Sequence, residues 1–117
     1  MEENYLTSIP SVIFEITTLT GLALSFNEIS KLPADISQLK KLESLDLRAN
    51  DLKEVPEELF ELTNLKYLFL EDNQLQKISD SICKLTKLEK LTLLDNLITE
   101  VPDCVSQVAD ISKLSVN

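Results

Sequence analysis

The chain has 117 residues, 44% of them hydrophobic and 26% charged, which suits one small folded module and excludes wholesale disorder or two independent cores. It holds no His and a single Gly, so the usual proton shuttle, the commonest metal ligand and a glycine-rich phosphate loop are all missing, and most enzyme classes recede. Eleven Lys and Arg against 20 Asp and Glu give a net charge of −9. That balance repels nucleic acid, and Lys40 and Lys41, with Lys31 and Lys53 nearby, are interrupted by acids and lack aromatic stacking partners.

The amino terminus, Met1-Glu2-Glu3-Asn4, is acidic where a secretory signal is basic, and no apolar run has the length of a membrane helix. A cytoplasmic protein with no membrane contact and no cofactor is the expectation. Residues 1–18 carry Leu6, Ile9, Pro10, Ile13 and Ile16 in the register of half a repeat, and are read as a cap covering the first full turn.

From Leu19 onward a spacing of 23 residues aligns Leu19, Leu42, Leu65, Leu88 and Ile111. It divides one domain, 1–117, into full repeats 19–41, 42–64, 65–87 and 88–110, followed by a truncated strand at 111–117. Counting each repeat from its first Leu, positions 1, 4, 6, 11, 14, 18 and 21 are Leu, Ile or Val in all 28 cases. The chain has 38 such residues in 117, so chance would fill about a third of those positions. Leu22 and Leu24 alternate as strand residues do, whereas Pro33, Ile36 and Leu39 recur every three, as a short 3₁₀ or α turn requires.

Position 9 is Asn27, Asn50, Asn73 and Asn96, with Asn4 in the same register before them. One amide at one place in every turn is read as a structural ladder, donating to and accepting from the inward backbone at the bend. Position 15 is Pro33, Pro56 and Pro102, with Pro10 before them and Ser79 as the exception. Cys83 and Cys104 form no Cys-x-x-Cys motif and have no His to complete a zinc site or activate a thiolate, so they are read as free, inert thiols.

The pattern L-x-x-L-x-L-x-x-N-x-L in Leu19 to Ile29, Leu42 to Leu52, Leu65 to Leu75 and Leu88 to Ile98 resembles the leucine-rich repeat family. The continuation L-P-x-x-I-x-x-L in Leu32-Pro33, Ile36 and Leu39 is most similar to its 23-residue intracellular, Ras-group-like class. The resemblance implies an α/β repeat solenoid, right-handed, with a parallel concave sheet of about five strands and short 3₁₀ or α turns on the convex side. It also implies a non-catalytic module that holds other proteins.

In that geometry positions 2, 3, 5, 7, 8 and 10 face the concave side or its rim. Tyr67, Phe69 and Leu94 there are read as one anchor patch, with Leu97 and Phe26 beyond it and Val12 the remaining off-register aliphatic residue. Eight acids, among them Asp46, Glu71, Asp72 and Asp95, outnumber Arg48, Lys66 and Lys90. Asp72 and Asp95 stack like charges one repeat apart, as if to meet a basic ligand. Site residues for a basic or amphipathic protein partner are therefore Tyr67, Phe69, Leu94, Arg48, Asp46, Glu71, Asp72 and Asp95. A Ca²⁺ site lacks the dense oxygen spacing it needs, and acid–base catalysis by Asp72 and Asp95 would be shallow and wet.

Opposite charges alternate at position 13, in Lys31, Glu54, Lys77 and Glu100, and at position 2, in Glu43, Lys66 and Glu89. Both sets are read as supporting ion-pair ladders. Phe14 and Phe60, at position 19, are read as partly buried on the convex side, or as part of a second face. The competing functional reading is an assembly unit that self-associates, as a homodimer, through an exposed carboxy-terminal strand edge at Leu114 and Val116.

Overall fold

Leu22, Leu45, Leu68 and Leu91 each form the centre of a three-residue strand whose flanking side chains point the other way. In the computed structural model, which describes residues 5–107, these are β1 (Gly21–Ala23), β2 (Ser44–Asp46), β3 (Tyr67–Phe69) and β4 (Lys90–Thr92). They make one parallel sheet in the order β1-β2-β3-β4, with Leu22, Leu45, Leu68 and Leu91 in register. Each neighbour is the next repeat, so the chain advances one strand per turn as a right-handed solenoid. The expected fifth strand, Leu114 and Val116, and also Asn4, lie outside the described residues.

The returns are five short 3₁₀ helices: η1 (Ser11–Glu15), η2 (Ala34–Gln38), η3 (Glu57–Glu61), η4 (Asp80–Lys84) and η5 (Asp103–Gln107). The three-residue spacing of Pro33, Ile36 and Leu39 marks a staircase of i→i+3 bonds. Ile36 N–H donates to Pro33 O, Leu39 to Ile36 and Leu42 to Leu39, all at 3.1 Å. Proline suits the head of this staircase because its fixed φ matches the extended entry, −74° at Pro33 and −73° at Pro56. Ser79 adopts the same backbone at φ −64° and adds what Pro lacks, since its Oγ accepts from Ser81 N–H at 3.1 Å.

Between sheet and helices lies a core of stacked Leu and Ile. Leu42, Leu45, Leu47, Leu52, Leu59 and Leu62 of the second repeat are wholly buried, each stabilising the fold by about 1.5–3 kcal/mol relative to exposure. Phe14 and Phe60 belong to this core, at 2% and 1% exposure, so they form no second face. At the amino-terminal cap Ile9 and Ile13 are buried as expected, but Ile16 stands 46% exposed, along with Tyr5 and Val12.

The Asn ladder ties each repeat to the one before it. Asn50 Nδ2 donates to Leu24 O at 3.0 Å and to Leu47 O at 3.1 Å, while its Oδ1 accepts from Ile29 N–H at 3.0 Å. Asn73 and Asn96 repeat these bonds one and two turns on. Just before each Asn the backbone turns left-handed: Phe26, Ala49, Asp72 and Asp95 have φ of 58–60°. None is Gly, although Asp is among the few residues that tolerate this region.

The cysteines correct the sequence reading. Cys83 in η4 and Cys104 in η5 form a disulfide across a sequence separation of 21, with Cα atoms 5.6 Å apart. They occupy positions 19 and 17 of successive repeats. Local motif spacing does not mark such a pair, but stacking brings neighbouring 3₁₀ turns within bonding reach. The ion-pair ladders are also reduced: Lys66 Nζ reaches Glu43 Oε1 at 3.8 Å. Among the described residues no other pair at position 2 or 13 closes within 4.0 Å.

Candidate functional site

The strand side chains that do not enter the core form the concave face. Ser44, Tyr67 and Lys90 share one row, and Asp46, Phe69 and Thr92 the next. Tyr67 and Phe69 are two residues apart on β3 and so face the same way. Beyond the strands the pairing continues as Leu70 N–H to Thr92 O at 3.0 Å and Asp72 N–H to Leu94 O at 2.9 Å. Leu94 thus lies beside Glu71, diagonal to Phe69 and one repeat away, at a spacing of about 4.8 Å between strands.

Tyr67 and Phe69 thus share one face of β3, and Leu94 follows on the same face in the next repeat. Tyr67 and Leu94 are each 38% exposed, Leu97 at the rim 51%, and Phe69 is half-buried between them. Asp72 and Asp95 are exposed on the same rim and Glu71 is half-buried. Their left-handed backbone gives the two aspartates a local reason for being there, independent of any ligand. Their charges still face solvent.

Asp46 and Arg48 are arranged differently from free surface charges. Arg48 Nε donates to Asp46 Oδ1 and Oδ2, both at 3.1 Å, and the Arg48 backbone N–H donates to Oδ1 at 3.2 Å. The Arg48 guanidinium lies over the Phe26 ring, 5.9 Å from its centroid, so half-exposed Phe26 is a platform for Arg48. Sequence reading named all three residues without joining them. The signal was present, since Asp46 ends β2 and Arg48 follows it by two residues.

Thr92 was missed altogether. It sits next to Phe69 in the same row, 5% exposed, and its Oγ1 is buried with no hydrogen-bond partner among the described residues. Away from the sheet, a cavity of about 220 Å³ is lined by Ile82, Cys83, Leu85, Thr86, Leu88, Cys104 and Val105, next to the disulfide. On the convex surface Ser81 Oγ donates to Glu57 Oε1 at 2.6 Å. That bond, with a second from Ser79, holds the Glu57 carboxyl below its ordinary range against the opposing effect of desolvation, with lesser help from the charges of Lys84 and Lys77. Among the described residues, no group of three or more Cys, Asp or Glu is placed to hold a metal ion, and no helix is long and apolar enough to cross a membrane.

Comparison with known structures finds the same architecture. A leucine-rich repeat protein of Leptospira interrogans superposes with a TM-score of 0.84 at 32% identity, over 93% of this chain and 30% of that one. The functional domain of InlJ from Listeria monocytogenes, which includes a cysteine ladder, gives 0.73 at 29% identity, over 86% of this chain and 20% of that one. An internalin (InlF) of the same organism, at 22% identity, shares the fold with a TM-score of 0.74 over 97% of this chain and 36% of that one. The chain thus spans little more than a third of the longest-covered of these proteins. No curated protein sequence matches it. Residues 5–117 match the family model for a leucine-rich repeat region, and the chain belongs to the leucine-rich repeat family.

Proposed function

We propose that this protein is a non-catalytic interaction scaffold whose acidic concave face binds a basic or amphipathic segment of another protein. The observation that carries the reading is the half-exposed cluster of Tyr67, Phe69 and Leu94 set among Glu71, Asp72 and Asp95 on an open sheet. Large apolar side chains ringed by charge are what a desolvated binding anchor requires. Membership of the leucine-rich repeat family supports it, since stacked repeats present one continuous concave surface. Asp72 and Asp95 stand exposed on that surface.

The Cys83–Cys104 pair favours an oxidising compartment over the cytoplasmic address expected from sequence, because structural disulfides are rare where thiols are kept reduced. Phe69→Asp tests the concave site. It should abolish partner capture while leaving the far-ultraviolet circular dichroism spectrum intact, and Tyr67→Ala, at a more exposed position, should weaken capture in a fully folded protein. If both variants capture what the wild type captures, the concave reading is wrong. If only further copies of the chain are captured, self-association through Leu114 and Val116 replaces it.

A further inference from the structure

The concave face is acidic, yet one guanidinium is fixed in it with most of its donors idle. Arg48 uses Nε to bond both oxygens of Asp46 at 3.1 Å and rests against the Phe26 ring at 5.9 Å. Its two terminal nitrogens, carrying four N–H donors, have no acceptor among the described residues, and Glu71 in the next repeat makes no ion pair with it. The Arg48 side chain is 41% exposed, whereas that of Asp46 is 14% exposed. The carboxylate below is therefore already paired, while the Arg48 side chain as a whole stays open to solvent.

A planar fork held from one edge and one face has already lost the rotamer freedom that binding would otherwise cost. Its free geometry matches a carboxylate, which can accept two parallel N–H bonds. We propose that Arg48 is the receptor for an Asp or Glu side chain of the bound segment, so the partner carries mixed charge rather than basic residues alone. The inference rests on the concave-face reading and specifies its ligand.

Spacing sharpens it. Arg48, Asp72 and Asp95 lie in three successive repeats, so Asp95 is about 10 Å from Arg48 along the stack at about 4.8 Å per strand. A peptide extended along that direction rises about 3.3 Å per residue, which sets its acid about three residues from the Lys or Arg that meets Asp95.

The probe is a phage-displayed random peptide library panned against the immobilised whole chain, with Phe69→Asp as the concave-face control. Peptides that bind wild type and not Phe69→Asp should be enriched in an acid near three residues from a base. Arg48→Gln should weaken them roughly ten- to hundred-fold, as loss of a charge-assisted pair does. Arg48→Lys keeps the charge without the fork and should recover less than tenfold of that loss. Panning on Arg48→Gln should yield peptides without the acid, a readout that a merely weakened fold would not produce. Phe69-dependent peptides with no acid preference, or with unchanged affinity for Arg48→Gln, overturn the Arg48 assignment while leaving the concave site standing. Selection that is wholly independent of Phe69, or that yields no peptide, overturns both.

Discussion

Reducing the Cys83–Cys104 disulfide releases the tie between η4 and η5, and the cost follows from how much chain the bond closes. The two residues are separated by 21 positions, for which loop-closure entropy in the unfolded chain gives about 3.3 kcal/mol at 25 °C. At about 2.1 cal/mol/K per residue, the unfolding entropy of the chain is roughly 0.25 kcal/mol/K, so the melting temperature should fall by about 13 °C. Cys83 is exposed and Cys104 half-buried, so a soluble dithiol or phosphine reaches the bond in the native state. Calorimetric melts with and without reductant, beside Cys104→Ser, read the effect. The variant should melt like the reduced wild type and be indifferent to reductant. Two titratable thiols in the unreduced native protein would refute the pairing itself. One disulfide and no free thiol, with a melt unmoved by reductant, would refute the loop-entropy argument.

Asn50→Ala should destabilise by about 3 kcal/mol in denaturant titrations, because it leaves the buried Ile29 N–H without its acceptor and removes the donors to Leu24 O and Leu47 O; a loss under about 1 kcal/mol would mean that water replaces the amide. Ala49→Gly should stabilise by up to about 1 kcal/mol, since Ala49 holds φ 58° where Gly is unstrained. Gly21→Ala should gain about 0.4–1 kcal/mol, because an added Cβ at Gly21 meets nothing within 4 Å; destabilisation by either change contradicts the backbone assignment. Glu57→Gln should show its full melting deficit at neutral pH. The folded-state pKa of Glu57 lies below the ordinary 4.5, so its stabilisation is present above that value and is lost as pH falls through the lowered one, and the two melting curves should converge in acid. A gap that stays constant from pH 7 to about pH 3 would exclude the Ser81 bond as its source.

The 23-residue period made the solenoid legible because a stacked repeat demands the same side chain at the same height in every turn. Leu45, Leu68 and Leu91 announce the strands in this way, and Asn50, Asn73 and Asn96 the ladder. Tyr67, Phe69 and Leu94 were legible as members of one face because register alone places them there. What escaped was set between repeats at unlike positions. The disulfide joins position 19 to position 17, and Arg48 reaches back across a turn to Phe26. The full depth of Phe60 was not legible for a related reason: the space between 3₁₀ turns is filled by Phe14 and Phe60 in their repeats, while Ser37 and Cys83 stand at the same position in others. A residue type that varies along its column carries no periodic signal.

The Asn ladder also has a direction. Each amide completes the bend of the preceding repeat, at separations of 21 and 26 residues: Asn50 for Ile29 and Leu24, Asn73 for Leu52 and Leu47, Asn96 for Leu75 and Leu70. During synthesis, which proceeds from the amino terminus, the bend at Leu24–Ile29 keeps open backbone groups until Asn50 has left the ribosome. Every turn is then latched by its successor, so the growing solenoid always carries one unfinished unit at its leading end. Truncation is unequal for the same reason. Removing a repeat from the amino-terminal side leaves every later bend latched, whereas removing one from the carboxy-terminal side unlatches the bend before it.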